Sequence, residues 1–122
     1  MKHCKKKKEF HRTHNQRMAL IKGLLSSLIL KEKIKTTKIK AKEVKNLIDG
    51  IINRGKESKI PEKRIAMIRE LNKRLNAEAV KKISGDLAER FQTRKSGYAR
   101  VIKLPRRKSD GAEMAVVELI VD

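Results

Sequence analysis

The stretch that decides the fold is GYARVIKLPRRKSDGAEMAVVELIV, residues 97–121. Two apolar runs, Tyr98 to Leu104 and Met114 to Val121, flank a segment carrying Arg106, Arg107 and Lys108 in succession. Each run is β-branched in part, contains no Gly or Pro, and is bounded by turn formers. These are Ser96 and Gly97 before the first run, and Pro105 with Ser109, Asp110 and Gly111 between the two. The runs therefore read as a hairpin with a long loop. In the second, Ala115, Val117, Leu119 and Val121 make one apolar face and only Glu118 breaks the other, so this strand is expected in the interior of a sheet. In the first, Arg100 sits among Tyr98, Ile102 and Leu104 while Lys103 interrupts the opposite face, which makes it the more exposed partner. Such a stem can hold a cationic loop out in solvent.

Upstream of the hairpin the apolar spacing changes from two to three and four. Thr13 with Gln16 fits a capping box opening a first helix from about His14 to Leu30, on a stripe of Met18, Ile21, Leu24, Leu25 and Leu28, with Gly23 a mild weakness. Ile34, Thr36 and Thr37 predict a short strand, and Thr37 a following N-cap. The second helix is carried by Ala41, Val44, Ile48 and Ile51 with Leu47 and Ile52 beside them, and Gly55 is its stop signal. Pro61 suits the first turn of a third helix on Ile65, Ile68, Leu71 and Leu75. Asn76 caps a fourth on Val80, Ile83 and Leu87, weakened at Ser84 and Gly85, with Phe91 packing just after it. The expected fold is α+β, with about four helices packed around a small mixed sheet formed by the hairpin and the strand near Ile34. Residues 1–13 are expected to be a basic arm, and 14–122 a single globular domain.

Charge narrows the class of partner. The chain has 33 Lys and Arg against 14 Asp and Glu, a formal net charge of +19 over 122 residues. Self-repulsion of that size is relieved by a polyanion, nucleic acid ahead of an anionic membrane surface. With no Trp, and only Phe10, Phe91 and Tyr98 as aromatics, the chain has a poor platform for stacking unpaired bases, so recognition of phosphates and shape is expected. Tyr98 reads as a packed ring with a satisfied hydroxyl. Cys4 is the one cysteine, which excludes an internal disulfide and suits a reducing compartment. A metal reading of His3, Cys4, His11 and His14 lacks paired thiolates. No paired-carboxylate site or Gly-rich phosphate loop is present, so neither an enzyme nor a cofactor nor a small-molecule substrate is expected. Positive charge concentrates in the arm, in Lys31 to Lys45 and in Arg94 to Lys108. On these grounds alone, a DNA-binding architectural protein stays open beside an RNA-binding one.

Particular residues go further. Met1, Lys2 and His3 with Arg12, Arg17, Ala19 and Leu20, the run Glu32 to Thr37 with Lys40 to Glu43, and Gly97, Tyr98, Arg100, Ile102 to Leu104, Arg107, Asp110, Ala112, Met114, Ala115, Glu118 and Leu119 together resemble the bacterial large-subunit ribosomal protein seventeen family over essentially the whole chain. The chain departs from that pattern at Cys4, Gln16, Ala99, Pro105 and Ser109, the last two being Gly in the family. The resemblance implies a cytoplasmic, non-enzymatic protein of the large subunit. It would be a monomer within the ribosome, bound to 23S ribosomal RNA near the peptide exit tunnel, with neighbouring large-subunit proteins as partners and no membrane. Carried over by position, RNA contacts fall on Lys2, His3, Lys5, Lys6, Lys7, Lys8, Arg12 and Arg17. They continue on Lys35, Lys38, Lys40 and Lys42, and on Arg94, Lys95, Arg100, Arg106, Arg107 and Lys108.

Overall fold

The structure, a computed structural model, describes residues 13–120. In chain order the elements are α1 (His14–Lys31), β1 (Lys33–Thr37), α2 (Lys38–Glu57), α3 (Arg64–Arg74), α4 (Ala77–Ser84), α5 (Asp86–Arg90), β2 (Ala99–Leu104) and β3 (Met114–Leu119). The α+β expectation holds, with the fourth expected helix divided. At Gly85 the backbone leaves helical geometry (φ −108°, ψ −104°), so Leu87 belongs to the short α5.

Local chemistry sets most boundaries. Both bonds of the Thr13–Gln16 capping box form, at 3.3 Å each, and Asn76 Oδ1 accepts from the Ala79 N–H at 2.9 Å to start α4. α1 ends on Glu32, a left-handed non-glycine residue (φ 64°) whose N–H returns to the Leu28 carbonyl. That conformation costs a residue with a Cβ on the order of 1–2 kcal/mol. The Glu32 side chain offsets it by receiving Arg90 and, at 3.5 Å, Lys82, which ties α1 to α4 and α5.

β3 is the middle strand, in the order β1-β3-β2, as its two apolar faces indicate. The sheet is antiparallel throughout, a correction to the mixed sheet expected. Its direction is fixed at both ends of the β1–β3 pair: the Lys38 N–H donates to the Glu113 carbonyl and the Leu119 N–H to that of Glu32. Ala115, Val117 and Leu119 turn to the core, where Ala41, Val44, Ile48, Ile51 and Ile52 of α2 meet them in one cluster.

Two further expectations change. Gly55 does not end α2, which runs on to Glu57; it is buried inside the helix where α4 crosses, and a Cβ there would stand 2.7 Å from the Ile83 carbonyl oxygen. Pro61 lies in the turn ahead of α3, not in its first turn, and the α3 stripe is only partly core: Leu71 is fully buried but Ile65 is 70% exposed. The eleven-residue helix packs through its C-terminal half, so its first turn has nothing to cover it.

Gly55→Ala should therefore cost roughly 1–3 kcal/mol by overpacking, read as a lower denaturation midpoint. An unchanged midpoint would mean that α2 and α4 are not in this contact.

Candidate nucleic-acid interface

Successive residues turn about 100° around a helix, so with Ala41, Val44, Ile48, Ile51, Ile52 and Gly55 buried, Lys38, Lys42, Lys45, Asp49, Asn53 and Lys56 share one flank of α2. The C-terminal half of this flank holds the segment ahead of β2. The Asp49 carboxylate accepts from the N–H groups of Gly97 and Tyr98, both at 3.2 Å, across a turn that needs a positive φ (66°) at Gly97. The Tyr98 hydroxyl lies 2.6 Å from Asn53 Oδ1 and 2.8 Å from the Arg94 carbonyl, to either of which it can donate, and it accepts from Lys56 Nζ at 3.1 Å. That ammonium is 5.3 Å from the ring centroid, so it addresses the oxygen rather than the ring face. Phe91 meets the Tyr98 ring edge-on at 5.2 Å, and both rings are fully buried, which removes them as base-stacking surfaces. Arg94 and Lys95 thus sit on a segment fixed to α2 by its backbone.

The N-terminal half of the flank faces the other end of the same strand. α2 starts where Lys38 bonds Glu113, beside the Leu104–Met114 pair, and reaches Tyr98 at Asn53. Fifteen residues of helix at 1.5 Å and six of strand at 3.3 Å both span about 20 Å, so α2 and β2 run side by side in opposite directions. Lys103 is on the same strand face as the core-facing Ala99 and Val101, and so emerges beside Lys38 and Lys42. The result is a strip about 20 Å long with Lys95 at one end, Lys42, Lys45 and Lys103 along it, and the hairpin loop at the other. Lys45 and Lys103 were not among the sequence candidates. Lys103 read as an interruption of an apolar face, and only the position of α2 shows which side it is on.

The remaining candidates are dispersed. Lys40 lies about 200° around α2 from Lys42, on the far flank. Lys35 and Arg100 are on the outer face of the sheet, where Arg100 pairs with Glu118, which also draws Lys33 at 3.9 Å. Arg17 stands at the start of α1, 3.2 Å from His14 Nδ1. Lys2, His3, Lys5, Lys6, Lys7, Lys8 and Arg12 lie outside the described residues, as do Cys4 and His11. Among the described residues no cluster of three or more His, Cys, Asp or Glu side chains could hold a metal ion, and no helix is long and apolar enough to cross a membrane.

The hairpin loop uses two of its cations on itself. Arg107 makes a two-toothed pair with Asp110, Nε to Oδ1 at 2.9 Å and Nη2 to Oδ2 at 2.7 Å. Backbone bonds from Arg107 N–H to the Ala112 carbonyl and from Gly111 N–H to the Arg107 carbonyl close the same turn. Arg106 reaches the Gly111 carbonyl and Glu113, each at 3.0 Å, and Lys38 approaches the other Glu113 oxygen at 3.6 Å. The left-handed residue is Gly111 (φ 70°), so Pro105 and Ser109 need no glycine conformation. Lys108 has no partner among the described residues and is the loop's available cation.

The Arg107 guanidinium, with the Ala112 N–H, holds the Asp110 carboxyl at about 2 against an ordinary 3.8. A depressed carboxylate favours the folded loop above the unfolded value and loses that contribution as pH falls through the folded one, so the window is about pH 4 down to pH 2. A carboxyl-detected NMR titration should place Asp110 near 2 and return it toward 3.8 in Arg107→Ala. A midpoint that Arg107→Ala leaves unmoved would show that the pair does not form in solution.

A family profile described as ribosomal protein L17 matches residues 20–120. Large ribosomal subunit protein bL17 of Thermodesulfovibrio yellowstonii is 43% identical over 120 residues, covering 98% of this chain and 87% of that one. The proteins of the same name from Hydrogenobaculum and from Staphylococcus epidermidis are 39% and 36% identical, covering 98% and 89% of this chain and 99% and 94% of theirs. The chain belongs to the ribosomal protein L17 family.

Proposed function

We propose that the chain is a structural, non-enzymatic constituent of the large ribosomal subunit. In this reading it binds 23S ribosomal RNA near the peptide exit tunnel, with neighbouring large-subunit proteins as further partners. Family membership supports the ribosomal role, and the α2–β2 strip is the observation that carries RNA binding. Lys42, Lys45, Lys95, Lys103 and Lys108 are exposed along it, and none has an ion-pair partner among the described residues. The nearby acids Asp49, Asp110 and Glu113 are already committed to backbone N–H groups or to arginines, so they offer the lysines little neutralisation. A phosphate backbone along the strip would supply it. With the described rings buried, the strip recognises backbone and shape rather than base identity.

Residues 1–13, with Lys2, His3, Lys5, Lys6, Lys7, Lys8 and Arg12, act in this reading as an arm that extends the contact into the RNA. Residues 14–122 form the domain that carries it. Lys38 and Arg17 contribute at the edges of the strip and of α1. Arg106 and Arg107 serve first to shape the loop that presents Lys108.

At moderate salt the cellular protein should sediment with large ribosomal subunits; recovery with nucleoid DNA or membrane would refute the ribosomal role. Within that role, Lys42→Ala, Lys45→Ala and Lys103→Ala should each weaken binding to rRNA fragments and flatten the logarithmic salt slope by about 0.7–0.9. Lys40→Ala should leave the slope near the wild-type value. Equal effects of Lys40 and Lys42 would show that charge, not this strip, makes the contact.

A further inference from the structure

A second surface lies away from the strip. α1 meets the body through its C-terminal half, where Leu25, Leu28 and Ile29 are buried, while its first half stands clear and leaves Met18 49% exposed. The gap this opens between α1, α2 and α3 is a groove of about 430 Å³. Met18, Ile21, Leu25, Leu47 and Ile51 form its apolar walls, and Leu25 and Ile51 are core residues, 3% and 1% exposed, that the groove reaches directly. Arg17, Lys22, Lys73 and Arg74 stand around it with Glu43 as the one acid in the lining. Lys73 has a helical partner in Glu70 at 3.3 Å, while Lys22 and Arg74 have none among the described residues.

We infer that this groove is a docking site for an acidic, amphipathic segment of a partner protein, whose apolar side chains cover the gap and whose carboxylates meet the rim. Two requirements select that occupant. The walls are aliphatic and need apolar side chains; the planar groups of the lining, the His14 ring and the Arg17 guanidinium, meet each other at 3.2 Å at the start of α1, so the aliphatic walls themselves give a nucleotide base no ring to stack on. The rim needs negative charge, which excludes the chain's own amino-terminal residues, where Lys5 to Lys8 are consecutive. An amphipathic helix with apolar residues at i, i+3, i+4 and i+7 satisfies both.

The test uses the isolated full-length chain, so its outcome does not depend on the ribosomal assignment. The probe is a fluorescent helical peptide with leucine at those four positions and glutamate elsewhere; the control replaces the leucines by glutamine at equal charge. The leucine peptide should bind at least tenfold more tightly than the control. Met18→Gln should remove most of that difference, and Arg74→Glu should weaken the leucine peptide about tenfold; both positions are exposed, so the fold is retained. Equal affinity for the two peptides, or indifference to both substitutions, would overturn the inference. So would oligouridylate binding that depends on Met18 in the same way, because the groove would then be an RNA site.

Discussion

The structure depends on the seat of α2 against the inner face of β3. Ala41, Val44, Ile48, Ile51 and Ile52 on the helix and Ala115, Val117 and Leu119 on the strand belong to one buried cluster, and β1 and β2 are held in place by pairing to that strand. A helix seated in this way must present its flank alongside the edge strand. That flank therefore carries the lysines at one end and, at the other, the Asp49, Asn53 and Lys56 groups that hold the segment before β2. Position of the candidate binding groups follows from packing of apolar ones.

Net charge is the second constraint. A chain at +19 must spend its few acids where they hold most, and several described acids fasten loops or helix ends: Glu32 joins α1 to α4 and α5, Asp49 caps the turn before β2, and Asp110 and Glu113 close the hairpin loop. Each fastens an irregular segment that apolar burial alone would leave loose. The lysines left over are then concentrated on ordered backbone, which lowers the conformational entropy lost when a phosphate is bound.

Features carried by short-range chemistry were legible in the chain: the Thr13 capping box, the Asn76 cap, the interior character of β3 and the packed ring of Tyr98. Those that failed needed a tertiary neighbour. Gly55 has the look of a helix stop, and only the crossing of α4 makes it a close-approach glycine. Glu32 looks like a counter-charge among lysines, because nothing local announces a left-handed glutamate. The α3 stripe is regular through Ile65, although no element reaches that turn to bury it. In the candidate interface the three basic regions were readable as regions. Which members face one way was not, because Lys40 and Lys42 differ only by their rotation about α2 and Lys103 only by the face of its strand.

The central claim is that packing of α2 on the sheet sorts the lysines into those that meet RNA and those that do not. Acetylation of lysines, mapped residue by residue by mass spectrometry in free and rRNA-bound protein, tests this most directly. The account predicts strong protection of Lys42, Lys45, Lys95 and Lys103 on binding, with Lys40 remaining as reactive as in the free chain. Uniform protection, or protection of Lys40 ahead of Lys42, would contradict it.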